Sequence, residues 1–192
     1  MTRAFDGRPL DPGQLERLVD LASRSPSAGK AQGWHLVVLE GADTAGFWDV
    51  TLPPERRSQF TWKQLLDAPV IAIAFADPQA YVDRYAEPDK ARTGLGLGTD
   101  AWPAPYWTID ASMAVMTLLL AAEDEGLGAL FFGVFNHEAE LRLRLMIPAQ
   151  LQLLGAIALG WPAAASRAKS GASAARRRRR PDEIIHRGSW AT

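Results

Sequence analysis

Residues 109–134 read IDASMAVMTLLLAAEDEGLGALFFGV and contain the clearest helix and strand signals in this chain. Between Ala111 and Ala122 the sequence is apolar nearly all round, which is typical of a helix without a solvent face. Gly126 caps the C-terminal end of this helix, and residues 129–134 predict a strand. In a chain this small, we expect such a helix at a subunit interface and not inside one core.

The segments on either side alternate in the same way between helix and strand signals. Asp11 and Gln14 form a capping box that begins a helix, and its apolar pattern stops at Ser25-Pro26. Apolar runs of strand length follow at residues 35–39, 70–76 and 151–159, and a short helix is predicted at 136–146. This order of elements predicts an α+β or α/β layered domain.

Composition limits the classes of function. A chain of 192 residues that is 47% hydrophobic predicts one domain over residues 1–192. No run resembles a signal peptide or a membrane span, so we expect a cytoplasmic protein without a membrane partner. The sequence has no cysteine, so redox chemistry would need a bound cofactor. The formal net charge is −1 although five arginines are consecutive, Arg176 to Arg180, so the basic character is local.

Spacing argues against two other kinds of site. His137 and Glu138 begin a zinc-protease pattern, but Leu141 stands where the second histidine is required. With three scattered histidines and no cysteine, we predict no metal site. No Gly-x-Ser-x-Gly sequence is present for a hydrolase nucleophile.

Two segments remain that together carry a functional pattern. Residues 25–35, SPSAGKAQGWH, form a turn of small residues whose hydroxyl, ammonium and amide groups suit a ligand. Residues 121–135 contain a helix end, a Gly-Leu-Gly turn and a strand that ends at a glycine. Considered singly, the first is a polar loop and the second an ordinary helix and strand.

In this order the two segments resemble the nitroreductase family. The family's first motif is Pro-Ser, two small residues, then Asn-x-Gln-Pro-Trp. This chain has Lys30 for the Asn and Gly33 for the second Pro. The positions that match the family are Pro26, Ser27, Gln32, Trp34, Gly126, Leu127, Gly128, Leu145, Pro148, residues 157–162, Arg177, Arg179, Pro181, Asp182 and Glu183. The resemblance covers almost the whole chain outside residues 42–60 and 77–107.

The resemblance implies a fold and a cofactor. The fold would be α+β, a three-layer α/β/α sandwich with a central mixed, mainly antiparallel sheet, in a homodimer that exchanges C-terminal arms of residues 163–192. FMN would lie at the dimer interface and pass hydride from NADH or NADPH through its N5 to a small acceptor, in a ping-pong cycle. No protein residue would act as a catalytic acid or base. The implied FMN contacts are Arg3, Arg177 and Arg179 at the phosphate, Pro26, Ser27, Ala28, Lys30 and Gln32 across the interface, and Gly133 and Val134 at N5.

The N-terminus departs from the family pattern. Family members carry Arg-x-Ser-x-Arg or Lys ahead of an aromatic residue, and here only the last member is kept, as Arg3 before Phe5. The arginine run compensates in this interpretation, because guanidinium groups bind phosphate through forked hydrogen bonds.

Residues 77–107 are predicted to be a variable lid over the acceptor. Trp102, Tyr106 and Trp107 offer flat surfaces to a nitroaromatic, a quinone or a similar compound. Packing of the same aromatic residues against the dimer explains them equally well. Two other functions stay open. One is a flavin-binding protein without catalysis. The other is a nucleic-acid-binding module that uses the arginine run, although the family resemblance argues against this module.

Overall fold

The centre of the molecule is a four-stranded sheet in a computed structural model that describes residues 1–164 and 175–190. Its strands are β1 (Trp34–Glu40), β2 (Val70–Ala76), β3 (Gly128–Phe132) and β4 (Gln152–Gly160). They lie in the order β1-β2-β4-β3, and each neighbouring pair is antiparallel. The expectation of a mixed sheet is therefore wrong for the strands in these residues.

The continuous apolar sequence of β2 does not indicate a parallel strand. Runs of this kind are typical of parallel strands covered on both faces. All seven residues of β2 are buried, yet both of its neighbours run antiparallel to it. The strand is buried because helices cover both faces of the antiparallel sheet.

Six α-helices surround the sheet in the described residues. They are α1 (Gln14–Ala22), α2 (Thr44–Thr51), α3 (Pro54–Arg57), α4 (Pro78–Ala86), α5 (Tyr106–Asp124) and α6 (Glu138–Arg144). Helices α1 and α5 pack on one face, and α2 and α6 pack on the other. The α+β class and the three-layer α/β/α arrangement are confirmed.

Each face of the sheet has its own hydrophobic core, because side chains alternate along a strand. Ala72 and Ala74 of β2 point toward Leu118 of α5, whereas Ile71 and Ile73 point toward the side of α2 and α6. Burial of these side chains on both faces holds the three layers together.

Three helices were missing from the sequence prediction, namely α2, α3 and α4. The third of them, α4, occupies the start of the region predicted to be an irregular lid. Its cap is Asp77, whose Oδ1 accepts hydrogen bonds from the amides of Gln79 at 2.9 Å and Ala80 at 3.4 Å. Asp77-Pro78 is a helix-start signal, but the helix that follows is short and largely polar, so its periodicity is weak.

Other boundaries moved by a few residues. The capping box at α1 is half formed: Gln14 Oε1 accepts the Asp11 amide at 3.1 Å, while the helix itself begins at Gln14 after a left-handed Gly13. Helix α5 begins at Tyr106, three residues before the predicted start at Ile109.

The C-terminal arm is described only in part. Residues 165–174 and 191–192 lie outside the described residues, so most of the connecting segment predicted from residue 163 onward lies outside them too. Residues 175–190 are almost entirely exposed and include one 3-10 turn at Pro181–Glu183. Among the helices of residues 1–164 and 175–190, none has the length and apolar character needed to cross a membrane.

Candidate functional site

The first half of the candidate site is the loop of residues 26–32, here called the small-residue loop. Its backbone takes left-handed conformations at Gly29 (φ 60°), Lys30 (φ 58°) and Gln32 (φ 52°). Glycine adopts this region freely, but for lysine and glutamine it is sparsely populated and costs about 1 to 3 kcal/mol each. Such residues persist only where their surroundings hold them in place.

Side chains of α4 and α5 hold the small-residue loop. Oδ2 of Asp110 accepts the amide of Ala28 at 2.7 Å and the hydroxyl of Tyr81 at 2.8 Å. Nε of Arg84 donates to the carbonyl oxygen of Gly29 at 2.8 Å. Burial, reinforced by the hydrogen bond to Asp110, raises the pKa of Tyr81 well above its usual value, so its hydroxyl stays a donor at neutral pH.

The outer side of the loop is available to a ligand. The side chains of Pro26, Lys30 and Gln32 are exposed, and Ser27 is half-buried. Ser27 Oγ accepts the amide of Gln32 at 3.2 Å, which closes the loop on itself. The loop therefore presents an ammonium and an amide outward from a backbone that is fixed from behind.

The second half of the site follows β3, at Gly133 and Val134. The strand ends at Phe132, so these two residues lie just beyond it and not within it as predicted. They border an apolar cavity of about 190 Å³ whose wall includes Phe47, Trp48, Phe60 and Phe132. A Cβ atom on Gly133 would come within 2.5 Å of the ring of Phe135, a side chain that is 91% exposed.

Both halves lie at the same end of the sheet but at opposite edges. The loop leads into β1, and Gly133 follows β3, and these are the two outer strands. Three strand spacings of about 4.8 Å separate them, or about 14 Å in all. The cavity beside the small-residue loop and the cavity beside Gly133 share no lining residue.

Arg3 follows Thr2 beside the start of β3, whereas Gly133 follows the end of that strand. Its guanidinium stacks over the ring of Trp62, 5.2 Å from the centroid. Hydrogen bonds from the Thr2 amide to the carbonyl of Ala129 (2.9 Å) and from the Phe5 amide to that of Gln64 (3.0 Å) hold this segment against the body of the domain.

The other two predicted phosphate residues contact their own segment. Arg177 forms an ion pair with Glu183, Nη2 to Oε1 at 2.6 Å, and Arg179 donates to the backbone carbonyl of Glu183. The Arg177 guanidinium lowers the pKa of the Glu183 carboxyl. Arg180 pairs with Asp182 at 2.8 Å. Three of the five consecutive arginines are thus in contact with neighbouring groups of their own segment.

The three aromatic residues predicted to bind an acceptor occupy different environments. Trp102 is 9% exposed, its Nε1 donates to the carbonyl of Leu95 at 3.0 Å, and tyrosine rings of α4 pack against it. Trp107 donates to Gln152 Oε1 at 2.9 Å and is half-buried, and Tyr106 is exposed at the start of α5. Of the three aromatic residues, Tyr106 and Trp107 are therefore the ones whose side chains are accessible to an acceptor, and Trp102 supports them.

Sequence reasoning missed the residues behind the loop. Asp110 is a charged side chain next to an almost entirely apolar stretch of α5, and that contrast could have identified it. Tyr81 and Arg84 belong to α4, which was not predicted, so their roles had no visible signal. Among the described residues, no group of three His, Asp or Glu side chains is placed to bind a metal ion.

Comparison with known proteins assigns the family. The sequence profile described as "Nitroreductase family" matches residues 1–161. The chain belongs to the nitroreductase family. This nitroreductase-family chain is 28% identical over 177 residues to an NADH dehydrogenase of Thermus thermophilus, with 84% of this chain and 82% of that protein covered. A relative from Archaeoglobus fulgidus, whose name joins NADH dehydrogenase with NAD(P)H nitroreductase, is 27% identical over 164 residues, with 83% and 79% covered.

Solved structures share the fold. A nitroreductase family protein from Streptococcus pneumoniae superimposes with a TM-score of 0.69 at 21% identity, with 96% of this chain and 94% of that chain covered. A structure described as an oxidoreductase containing FMN superimposes with a TM-score of 0.69 at 19% identity, with 99% and 88% covered. At this identity the likeness concerns the fold.

Proposed function

We propose that this nitroreductase-family protein is an FMN-dependent oxidoreductase that passes hydride from NADH or NADPH to a small electron-poor acceptor. The observation that carries the proposal is the small-residue loop, which keeps Lys30 and Gln32 in left-handed conformations at the position of the family's first motif. Backbone strain of this kind clusters at ligand-binding sites, where it fixes donor groups before the ligand arrives.

The chemistry of the residues at the site fits FMN. The guanidinium groups of Arg3, Arg177 and Arg179 suit a phosphate, to which they can offer forked hydrogen bonds. Lys30 and Gln32 provide an ammonium and an amide for the polar edge of a flavin. For Arg177 and Arg179, binding a phosphate means that they share or exchange their contacts with Glu183.

Gly133 and Val134 are proposed to face the redox edge of the flavin. The site at Gly133 has no room for a Cβ atom while Phe135 keeps its position. The ring of Phe135 is exposed and can turn aside when a ligand takes this space. A glycine lets the backbone amide come close to a flat ligand without covering it.

A second copy of the chain is the proposed partner. Within one protomer the two halves of the site are separated by the width of the sheet, and a two-fold partner could bring its small-residue loop to Gly133. Helix α5 exposes Ile109, Met116 and Leu120 at helical spacing, and soluble proteins rarely leave such a row uncovered. The arm would then embrace the partner, since Ile184, Ile185 and Trp190 are also exposed.

The acceptor is proposed to be a flat, electron-poor compound such as a nitroaromatic or a quinone. Tyr106 and Trp107 offer aromatic surface at the start of α5, the helix whose Asp110 binds the small-residue loop. When bound, FMN would accept a hydride at N5 from the nicotinamide and supply it to the acceptor. The protein's part is to bind, orient and exclude water, so no side chain is assigned as a catalytic acid or base.

An absorption spectrum of the purified protein tests the proposal directly. We expect flavin bands, release of FMN on denaturation, and bleaching of the bands by NADH or NADPH without oxygen. A yellow protein that neither nicotinamide bleaches would be a flavin-binding protein without this activity. A colourless protein that takes up no added FMN, but binds nucleic acid in a salt-sensitive way, would support the alternative based on the arginine run.

A further inference from the structure

Side chains from two helices converge on the small-residue loop from the interior of the protein. Asp110 of α5 binds the amide of Ala28 at 2.7 Å and the hydroxyl of Tyr81 at 2.8 Å through one oxygen atom. Arg84 of α4 binds the carbonyl of Gly29 at 2.8 Å. The loop is therefore held at two consecutive residues, Ala28 and Gly29, by groups that do not belong to it.

Helix α4 also packs directly against the backbone at two glycines, one within the loop and one just after it. A Cβ atom on Gly29 would lie 2.8 Å from the ring of Tyr85, and one on Gly33 would lie 2.8 Å from the ring of Tyr81. Glycine at these two positions lets the helix come this close. Residues 78–86, the first part of the region predicted to be a lid, thus form a support beneath the loop.

The burial of Asp110 needs an explanation beyond packing. Its side chain is 6% exposed, and no cation forms an ion pair with it among residues 1–164 and 175–190. Burying a carboxylate is costly unless hydrogen bonds satisfy it, and an apolar side chain would pack this position of α5 at lower cost. What the carboxylate adds is a fixed acceptor for the Ala28 amide.

We propose that Asp110 is a positioning residue for the flavin: it holds the small-residue loop in its left-handed conformation, and Tyr81 and Arg84 complete the clamp. The inference rests on the proposed function, because it assumes that the loop contacts FMN. Asp110 acts through the loop and does not touch the cofactor. Pre-organising the loop reduces the entropic cost of binding FMN.

Asp110→Ala and Asp110→Asn test the clamp in the full-length protein with two measurements. In flavin-free protein, hydrogen exchange at the Ala28 amide should become about ten-fold faster in Asp110→Ala. In a fluorescence titration, the Kd for FMN should rise about ten-fold, the loss expected for one charge-assisted hydrogen bond. Asp110→Asn should recover part of both effects, since its amide oxygen can still accept from Ala28.

Gln14→Ala is the matched control for a loss of stability alone. Gln14 is 3% exposed and donates to Glu125 Oε2 at 2.9 Å, at the far end of α5. Its removal also breaks a partly buried hydrogen bond, here to the C-terminal end of α5. At temperatures well below unfolding, we expect the rate of hydrogen exchange at the Ala28 amide to stay at the wild-type value. The Kd for FMN should also be unchanged.

The outcomes separate this inference from the function on which it rests. Asp110→Ala protein that binds FMN as tightly as wild type, or that keeps slow exchange at Ala28, would overturn the positioning role. Equal weakening of FMN binding by Gln14→Ala would reduce Asp110 to a structural residue. Wild-type protein that takes up no FMN would instead refute the proposed function, and the exchange data would then describe a clamp that serves no flavin.

Discussion

Gly33 lies where α4 crosses the chain just before β1. The family motif has proline at this position, and the structure explains the exchange. A Cβ atom here would lie 2.8 Å from the carbonyl oxygen of Asp77, 2.8 Å from the ring of Tyr81 and 3.0 Å from the Cβ of Ala80. The departure from the motif is therefore coupled to the close approach of α4.

Gly33→Ala should destabilise the protein by about 1 to 3 kcal/mol, because the buried ring of Tyr81 cannot move away without disturbing Asp110. Urea denaturation measures the free energy of unfolding. Gly46→Ala, within α2, is the control: its new Cβ would lie 3.5 Å from Nε of Arg144 in α6, an ordinary contact, so a gain of about 0.5 to 1 kcal/mol is expected. Unchanged stability in Gly33→Ala would show that α4 does not press on this residue.

Tyr81 makes the stability of the protein depend on alkaline pH. Burial and the bond to Asp110 raise its pKa in the folded state, so its contribution is complete below the unfolded tyrosine pKa of about 10 and is lost as pH rises further. Tyr81→Phe should lower the free energy of unfolding by about 1 to 3 kcal/mol at pH 7. The difference from wild type should shrink above pH about 10.

Denaturation at a series of pH values between neutrality and the alkaline range checks this prediction. Tyr106→Phe serves as the comparison, since the Tyr106 side chain is exposed at the start of α5. If the free energies of unfolding of wild type and Tyr81→Phe differ by the same amount at every pH in the series, the assignment of a buried, hydrogen-bonded hydroxyl is contradicted.

At the scale of elements, three hydrogen bonds converge on Glu183 in the described part of the C-terminal segment. Glu183 accepts from Arg177 and from the Arg180 amide at 2.7 Å, and its backbone carbonyl accepts from Arg179. The ion pairs alone are worth little where they are exposed to water. Their value lies in holding the guanidinium groups of Arg177 and Arg179 next to the same residue, Glu183.

Arg177→Ala combined with Arg179→Ala should weaken FMN binding by about ten-fold or more, because charge-assisted contacts to a phosphate are worth about 1.5 to 3 kcal/mol each. The kcat at saturating FMN should change little, since the phosphate is remote from the redox edge. Arg176→Ala with Arg178→Ala removes the same charge and is the control. Equal weakening in both double variants would indicate a general effect of charge and refute the specific assignment.

At the scale of the whole molecule, α5 connects the core, the site and the expected interface. Its inner side buries Leu118 and Ala122 against the sheet, and its first turns carry Asp110 beneath the small-residue loop. Its outer side exposes Met116 and Leu120. A partner that covers the outer side would thus lie close to residues that shape the site.

Leu120→Glu should convert the proposed dimer to monomer at micromolar concentration and lower FMN occupancy with it, because a carboxylate would be buried without a partner. Analytical ultracentrifugation and the flavin absorbance report the two effects. Leu143→Glu, on the exposed side of α6, should change neither. A monomeric wild-type protein that still binds FMN would contradict the shared site.

Much of the architecture could be predicted from the sequence because its signals are local. Continuous apolar runs placed β2, β4 and α5 to within a few residues, and the order of short motifs identified the family. The support beneath the small-residue loop could not be predicted, since Asp110, Tyr81 and Ala28 are far apart in the chain and nothing in the sequence indicates that they meet. Only tertiary packing brings their hydrogen-bonding atoms within 3 Å, and packing of helices on both faces, not a parallel arrangement of strands, buries β2 completely.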